Sequence, residues 1–537
     1  MIIMRISEMN KSLKTKYLLF ALIFLLLFSA CKSKGEKVAD NGMVSVWQNG
    51  STITLEAPKG STVYYTTDGS IPDESSTVYE GPFEIQRVEV LSSHDADMTI
   101  GPNHSYSGDL PAANVIRAVA VGSDGNVSDV TTVTCFEERD DLITFSIITD
   151  YSNLLDYENG IMVRGKYYDE WAASEEGRAI IASGEYWFTE GNFSQKGKDW
   201  ERPAIVEIHD GGTVIAENCG IRIKGGTTRT IAQKSFNIYF RNKYGIKELE
   251  YPLFDGGPKS FSSFTLRNDG NDSRYLKFRD AWIQDMVSNM DFTTQLSRPA
   301  IVYINGEYWG IYTLQEKYCE EYFKDHFGTD DVIMIKESEV DIGEDEDIAY
   351  YEELLSFADR DLADPDIWNL FKETVDIDSM ADYFATEVYI GNYDLHMDAN
   401  FALWRSREKE DDRSFRDGRW RFVLYDTEYS SGIYGHSTTR AEADHLGMHM
   451  ESFPIFAAAM KNREFRRKYN DSILRLQEIF SDENVRESLQ SYAAVYGPHM
   501  ERYHVRFDQF YESYEKSIDV INSFFSARRR MDMTVEE

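Results

Sequence analysis

The sequence predicts an α+β chain in which a small all-β sandwich precedes a larger mixed domain. Two observations carry this. Between Val44 and Cys135, short alternating runs such as "STITLEA", "STVYYTT", "VIRAVAVG" and "VTTVTC" are separated by turn signals at Pro58–Gly60, Asp68–Gly69, Gly81–Pro82 and Asp124–Gly125. That is the rhythm of an antiparallel sandwich of under about a hundred residues. From Phe136 onward the texture changes, with strand-like and helix-like runs in the same stretch of chain, the pattern of an α+β domain.

Each element follows from its residues. Positions 203–240 read as strands joined by turns, and "RYLKFRDAWIQDMVSNM" places apolar residues at helical spacing. "PAIVYINGEYWGIYTLQEKY" reads as a hairpin turning at Asn305-Gly306, since both residues tolerate the positive φ of a tight turn. After Glu352 the chain is largely helical up to a polar break near position 392, and helical again from Phe453 to the end. The acidic run 337–353 lacks the ligand register of a calcium loop and reads as a solvated insertion.

Composition bounds the function. The chain has 537 residues, 42% of them hydrophobic and 14% aromatic, with a net charge of -36. It is too apolar for disorder, and the excess acid would repel a phosphate backbone, which argues against nucleic acid as a partner. Arg5, Lys11, Lys14 and Lys16 precede an apolar run from Tyr17 to Ala30, a basic n-region and short h-region that read as a secretory signal. The run closes in "LFSAC", which resembles a bacterial lipobox with Cys31 as the lipidated residue, although Phe28 stands where a smaller aliphatic side chain is usual. These readings divide the chain into a signal peptide (1–30), a polar tether (31–43), the sandwich (44–135) and the mixed domain (136–537). They place the protein in a bacterial cell envelope, attached to a membrane by its lipid. Cys135, Cys219 and Cys319 match neither a disulfide framework nor a zinc motif and are expected as small buried hydrophobes.

Chemistry-bearing residues converge on "EVYIGNYDLHMDANFALWR" and "WRFVLYDTEYSSG". Asp394 and Asn400 lie in a break between helix-like and strand-like runs, and Asp426 ends a strand. Protein kinases divide labour in this chain order: a base aspartate, a metal-binding asparagine, then a metal-binding aspartate at the next strand end. Asp398 is a competing acid in the same loop. "IRIKGGTTRTIAQKSFNIYF" adds a Gly-Gly-Thr-Thr turn suited to phosphate, followed by Lys234. His445 and His449 are four apart but lack the Glu of a zinc-protease motif. Arg267, Asn268, Asn271 and Arg274 in "RNDGNDSR" read first as a hydrogen-bonded loop.

Two resemblances follow from these words. "VYYTTDGSIPDESSTVYEGPF" with "IRAVAVGSDGNVSDV" resembles the chitobiase C-terminal-like module, a fibronectin-type-III-like sandwich. A carbohydrate contact by this module is carried as an alternative to a purely structural role. "GIRIKGGTTRTIAQKSFNIYF", "YPLF", "LRNDGNDSRYLKFRDAWIQDM", "YINGEYWGIYTLQEKY", "GNYDLHMDANFALWR" and "WRFVLYDTEYSSG" together resemble the CotH kinase family. The resemblance implies an atypical protein-kinase-like domain that uses ATP and Mg2+. It implies Lys234 as the phosphate lysine, with Arg229 in support and Glu316 as its acidic partner. It makes Asp394 the residue that orients or deprotonates the acceptor hydroxyl, and Asn400, Asp426 and Glu428 the metal ligands. Relatives carry Asp-x-Asp at the last position, whereas here the word is Asp426-Thr-Glu428.

The leading expectation is therefore a membrane-anchored kinase that phosphorylates an envelope protein or a surface polymer. A non-catalytic surface scaffold is the alternative, and a glycoside hydrolase using Asp394 and Asp426 is the third reading.

Overall fold

The computed structural model describes residues 35–99, 109–407, 409–410, 415–507 and 514–536. The expected signal peptide and Cys31 lie outside these residues. No described helix is long and apolar enough to cross a membrane. The chain forms two compact units, one comprising residues up to 88 together with 111–138, the other 89–110 together with 139 onward.

The first unit contains two four-stranded antiparallel sheets. One holds Glu36–Asp40, Ser45–Asn49, Thr52–Glu56 and Phe83–Glu84, and the other holds Thr77–Val78, Thr62–Thr66, Ala113–Val121 and Thr131–Phe136. Inward residues of both sheets, including Val46, Ile53, Leu55, Val63, Ile116, Ala118, Val133 and Cys135, make its core. Strand Glu36–Asp40 falls within the stretch expected as a polar tether. It pairs with Ser45–Asn49, and its backbone groups gain ladder partners that a solvated tether would not have.

The second unit begins with an excursion of the chain, 89–110, that sequence reading assigned to the sandwich. Its first residues are tied to this unit by charge. Glu307 accepts from the amides of Leu91 and Ser92 at 2.8 Å each, and the Asp95 carboxylate pairs with Arg506 at 2.7 Å. A buried guanidinium needs a counter-ion wherever in the sequence it comes from.

Seven strands of this unit close into a barrel in the order Arg202–Asp210, Thr213–Lys224, Ser235–Tyr239, Ser263–Arg267, Glu307–Glu316, Ser297–Ile304 and Ile143–Ile148. The hairpin at Asn305-Gly306 forms as expected, with φ of 50° and 84° at the two turn residues and Ile304 facing Glu307. Strand Glu307–Glu316 is buried along its full length because helix Asp482–Phe507 packs on it.

A second sheet contains Glu339–Ile342, Val332–Lys336, Ala402–Ser406 and Arg421–Val423. Tyr318, Phe323, Val332, Met334, Trp404 and Val423 pack into one cluster beside it. Part of the acidic run is thus structured: Glu339–Ile342 is a strand, and the buried carboxylate of Asp347 pairs with Arg407. Helix Ile377–Ile390, nearly all buried, packs against Arg463–Ile479 and delivers the chain to the polar break at its C-terminal end.

Candidate functional site

Helix Ile377–Ile390 starts at Asp376, whose carboxylate accepts from the Ser379 amide, and stops at Gly391 with φ 68°. A glycine here supplies the left-handed turn that ends a helix without steric cost. The loop that follows is held by its own amides. Asn392 Oδ1 accepts from the Asp394 backbone at 3.2 Å, and Asn400 Nδ2 donates to Asp394 Oδ2 at 3.0 Å and to its carbonyl at 3.1 Å. Asn400 itself sits at φ 59° and Asp426 at φ 55°, conformations that asparagine and aspartate tolerate better than other side chains. Asn392 Nδ2 reaches the Asp426 carbonyl at 3.5 Å, and the structure brings Asp394, Asn400 and Asp426 together.

Their electrostatics are unequal. Burial, then the charge of Asp426, pushes the Asp394 carboxyl up to about 6, against the pull of His396 and of the Asn400 amide. A carboxyl poised there can take a proton near neutral pH. Asp426 instead accepts from Arg267 Nη2 at 2.6 Å, and the same guanidinium donates to Glu428 Oε1 at 2.7 and 2.9 Å. The other oxygen of Glu428 accepts from the Asn271 amide at 2.8 Å. Both oxygens of Glu428 are thus engaged, and burial pushes its carboxyl up to about 7 despite Arg267. Asp280 adds a third carboxylate at 3.8 Å from Arg267, and Thr427 donates to it through amide and hydroxyl at 2.9 Å.

The residues assigned to phosphate lie elsewhere. Lys234 is fully buried, and its ammonium donates to the carbonyls of Met98 (2.8 Å), Arg229 (2.6 Å) and Ile231 (2.9 Å) over the Phe193 ring. Burial, reinforced by Arg229, holds its basicity well below that of an ordinary lysine. Arg229 spends its guanidinium on the carbonyls of Gly225, Phe193 and Gln195. Glu316 accepts from the Leu296 amide at 2.8 Å and faces His326 at 2.8 Å. The expected Lys234–Glu316 pairing is not what these side chains make. Each has closer partners, because Lys234 precedes its strand and turns into the loop that Met98 closes.

Two other lysines stand near Asp426. Lys224 ends strand Thr213–Lys224 and lies 5.4 Å from the Tyr425 ring centroid. Lys336 ends Val332–Lys336, lies 4.4 Å from the same ring and donates to the Tyr425 hydroxyl at 3.2 Å. Although burial would raise the Tyr425 phenol, Lys224, Lys336 and Arg267 together pull it down to about 8. Burial lowers Lys224, with Tyr425 and Asp426 opposing and the neighbouring cations adding to the fall. Both lysines are half-buried beside Tyr425, and Asp426, expected to end its strand, lies in the loop beyond the end of Arg421–Val423. Sequence reading passed over them, yet the alternation in "IRIK" carried a signal. Ile221 and Ile223 face the core, so Arg222 and Lys224 share the opposite face.

Among the described residues, no three or more His, Cys, Asp or Glu side chains are grouped to hold a metal ion. The donors that remain are hard oxygens. With its amide nitrogen turned to Asp394, Asn400 retains its carbonyl oxygen, and Asp426 retains the oxygen not bound to Arg267. Two such oxygens completed by phosphate and water suit Mg2+. Glu428 does not join them while both its oxygens are occupied. His445 and His449 are buried and not a metal pair: the His445 ring nitrogens face the carbonyls of Ala443 and Thr438. Cys135, Cys219 and Cys319 are free thiols.

Residues 53–135 match the family model described as Fn3 associated. No curated protein matches the chain. The model described as CotH kinase protein matches residues 221–531, which is more than half of the chain and spans the strand of Lys224, the polar loop and Asp426; the chain belongs to the CotH kinase family.

Proposed function

We propose that this protein is an extracytoplasmic phosphotransferase, held at a bacterial membrane through Cys31, that moves the γ-phosphoryl group of ATP to a hydroxyl of an envelope protein or surface polymer. The observation that carries the reading is that Asp394 is bonded by Asn400 and lies within electrostatic reach of Asp426, with Lys224 and Lys336 at the ring of the neighbouring Tyr425. Phosphoryl transfer asks little covalent chemistry of a protein. It asks for positioning and for charge placed where charge develops.

In this reading Lys224 and Lys336 meet the phosphate oxygens, and Lys234 braces the loop before them. Asn400 and Asp426 would hold Mg2+, which when bound neutralises charge on the phosphates. Asp394, oriented by Asn400, accepts the proton of the incoming hydroxyl. Arg267 couples the barrel to the Asp426 segment and fixes the height at which Asp426 stands.

A second reading, a scaffold that keeps the fold without turnover, draws support from the same arginine, which already neutralises Asp426. The two readings part in a thermal-shift measurement. Mg-ATP at 100 times its dissociation constant should stabilise the folded state by about 2.7 kcal/mol, and Asp394→Ala should cut phosphoryl transfer by about 10² to 10⁴. Absence of any shift at millimolar nucleotide favours the scaffold.

A further inference from the structure

A strip of rings runs outward from Asp394. Tyr393 precedes it in the loop, donates its amide to the Tyr429 carbonyl at 3.0 Å, and lies 5.6 Å from the Tyr429 ring. Tyr429 lies 5.2 Å from Tyr434, and Tyr434 lies 5.6 Å from Tyr275. His436 closes the strip, 5.5 Å from Tyr434, with Nδ1 at 3.0 Å from the Tyr429 hydroxyl. The charge of Asp394 reaches the Tyr429 phenol, after burial the main influence raising it.

These rings differ from the core aromatics. Tyr434 is 37% exposed, whereas Tyr383 and Tyr389 are fully buried. It also sits at φ 60°, between Gly432 and Gly435, which both have positive φ. A bulky residue in that region costs on the order of 1 to 3 kcal/mol, strain that clusters at ligand clamps. Its hydroxyl donates one proton to Asn271, shared between the backbone carbonyl at 3.1 Å and the side-chain oxygen at 3.0 Å.

We propose that this strip is the acceptor platform and that the acceptor is a neutral glycan, a deduction that rests on the phosphoryl-transfer reading. Sugar rings lay their C–H faces on aromatic rings, and their hydroxyls bond the phenol, imidazole and amide groups that edge this strip. None of Tyr393, Tyr429 or Tyr434 lies on a strand, so the strip offers no ladder for an extended peptide. The net charge of -36 repels an anionic polymer but not a neutral one. A sugar hydroxyl set beside Asp394 attacks the γ-phosphorus. The bond from that phosphorus to the β–γ bridging oxygen breaks and leaves ADP, and the hydroxyl proton passes to Asp394, giving a sugar phosphate monoester.

The test uses the full chain, γ-labelled ATP, and two acceptor probes: a mixture of neutral oligosaccharides (cello-, xylo-, manno- and chito-) and a basic serine-rich peptide. Labelled oligosaccharide is expected. Tyr429→Ala and Tyr434→Ala should raise its KM about tenfold while the Mg-ATP thermal shift stays at the parent value, which also shows that the variants fold. Tyr434→Phe, which keeps the ring, should restore most of the loss. Label on the peptide alone overturns the proposal, as does an unchanged KM in both alanine variants, or no labelled sugar from a parent that shows the Mg-ATP shift. If the parent shows no Mg-ATP shift, phosphoryl transfer itself is wrong and the glycan acceptor falls with it.

Discussion

Asp394 sets a trade between stability and chemistry that pH can expose. Its carboxyl is pushed up to about 6 in the folded protein, against about 3.9 in an unfolded chain. The folded state therefore binds the proton more tightly. That preference stabilises the fold fully below about 3.9 and is lost as pH rises through about 6. At pH 7.5 the ionised group is a burden that Asp394→Asn removes, since the amide oxygen can still accept from Asn400. The variant should melt a few degrees higher than the parent at pH 7.5, converge with it below pH 4, and transfer phosphate about 10² to 10⁴ more slowly. Parent activity should rise with pH through about 6 as the base ionises. The lysines separate in the same way. Lys224→Ala should raise the KM for ATP about tenfold with little change in melting temperature. Lys234→Ala should instead destabilise, because three buried carbonyls lose their donor at about 1 to 3 kcal/mol for each unsatisfied group. Urea denaturation and nucleotide kinetics on the two variants distinguish brace from ligand. The inward turn of Lys234 has a local cause. It precedes strand Ser235–Tyr239, where no alternation fixes the direction of a side chain, whereas Lys224 ends a strand whose alternation does.

At the scale of elements, local signals were legible where neighbours in sequence are neighbours in space. Asn305-Gly306 forms its turn, the runs in 203–240 form their strands, and the helix before Gly391 ends where glycine permits. In the polar break, Asn400 bonds Asp394, and Asp394 lies within electrostatic reach of Asp426. What alternation and capping cannot express is a contact between a strand end and loop acids 159 and 161 residues away. Arg267 makes such a contact, and "RNDGNDSR" read only as a bonded loop. Its guanidinium is the shared counter-charge of Asp426 and Glu428, with Asp280 beside them. Arg267→Ala removes the counter-charge of these carboxylates, of which Glu428 and Asp280 are buried, and breaking a buried pair from one side costs about 3 to 5 kcal/mol. Chemical denaturation should show a loss of that size. Adding Glu428→Gln should return part of it, since the amide carries no charge to strand.

At the scale of the whole molecule, the sandwich and the mixed domain were legible as textures, but the boundary between them was not a single cut. Residues 89–110 lie inside the sequence of the sandwich and belong to the second compact unit. Turn signals mark where a chain bends, not which core its next residues join. The physical tie is Asp95, whose carboxylate holds both terminal nitrogens of Arg506 at 2.7 and 3.0 Å. The Arg506 side chain is wholly buried over Trp309, with Glu307 at 3.8 Å as a weaker second counter-charge. Met98 in the same excursion accepts from Lys234. A chain that begins at Arg139 loses Asp95 and Met98 together and should yield insoluble or poorly cooperative material, whereas one that retains 89–110 should not. In the full chain Asp95→Ala isolates the electrostatic part. It should destabilise the second unit by about 3 kcal/mol, the low end for a broken buried pair, because Glu307 remains. Asp97→Ala, two residues on and 63% exposed at its side chain, should cost no more than about 1 kcal/mol. Equal effects from the two substitutions would show that helix Asp95–Met98, rather than the buried ion pair, ties the excursion down.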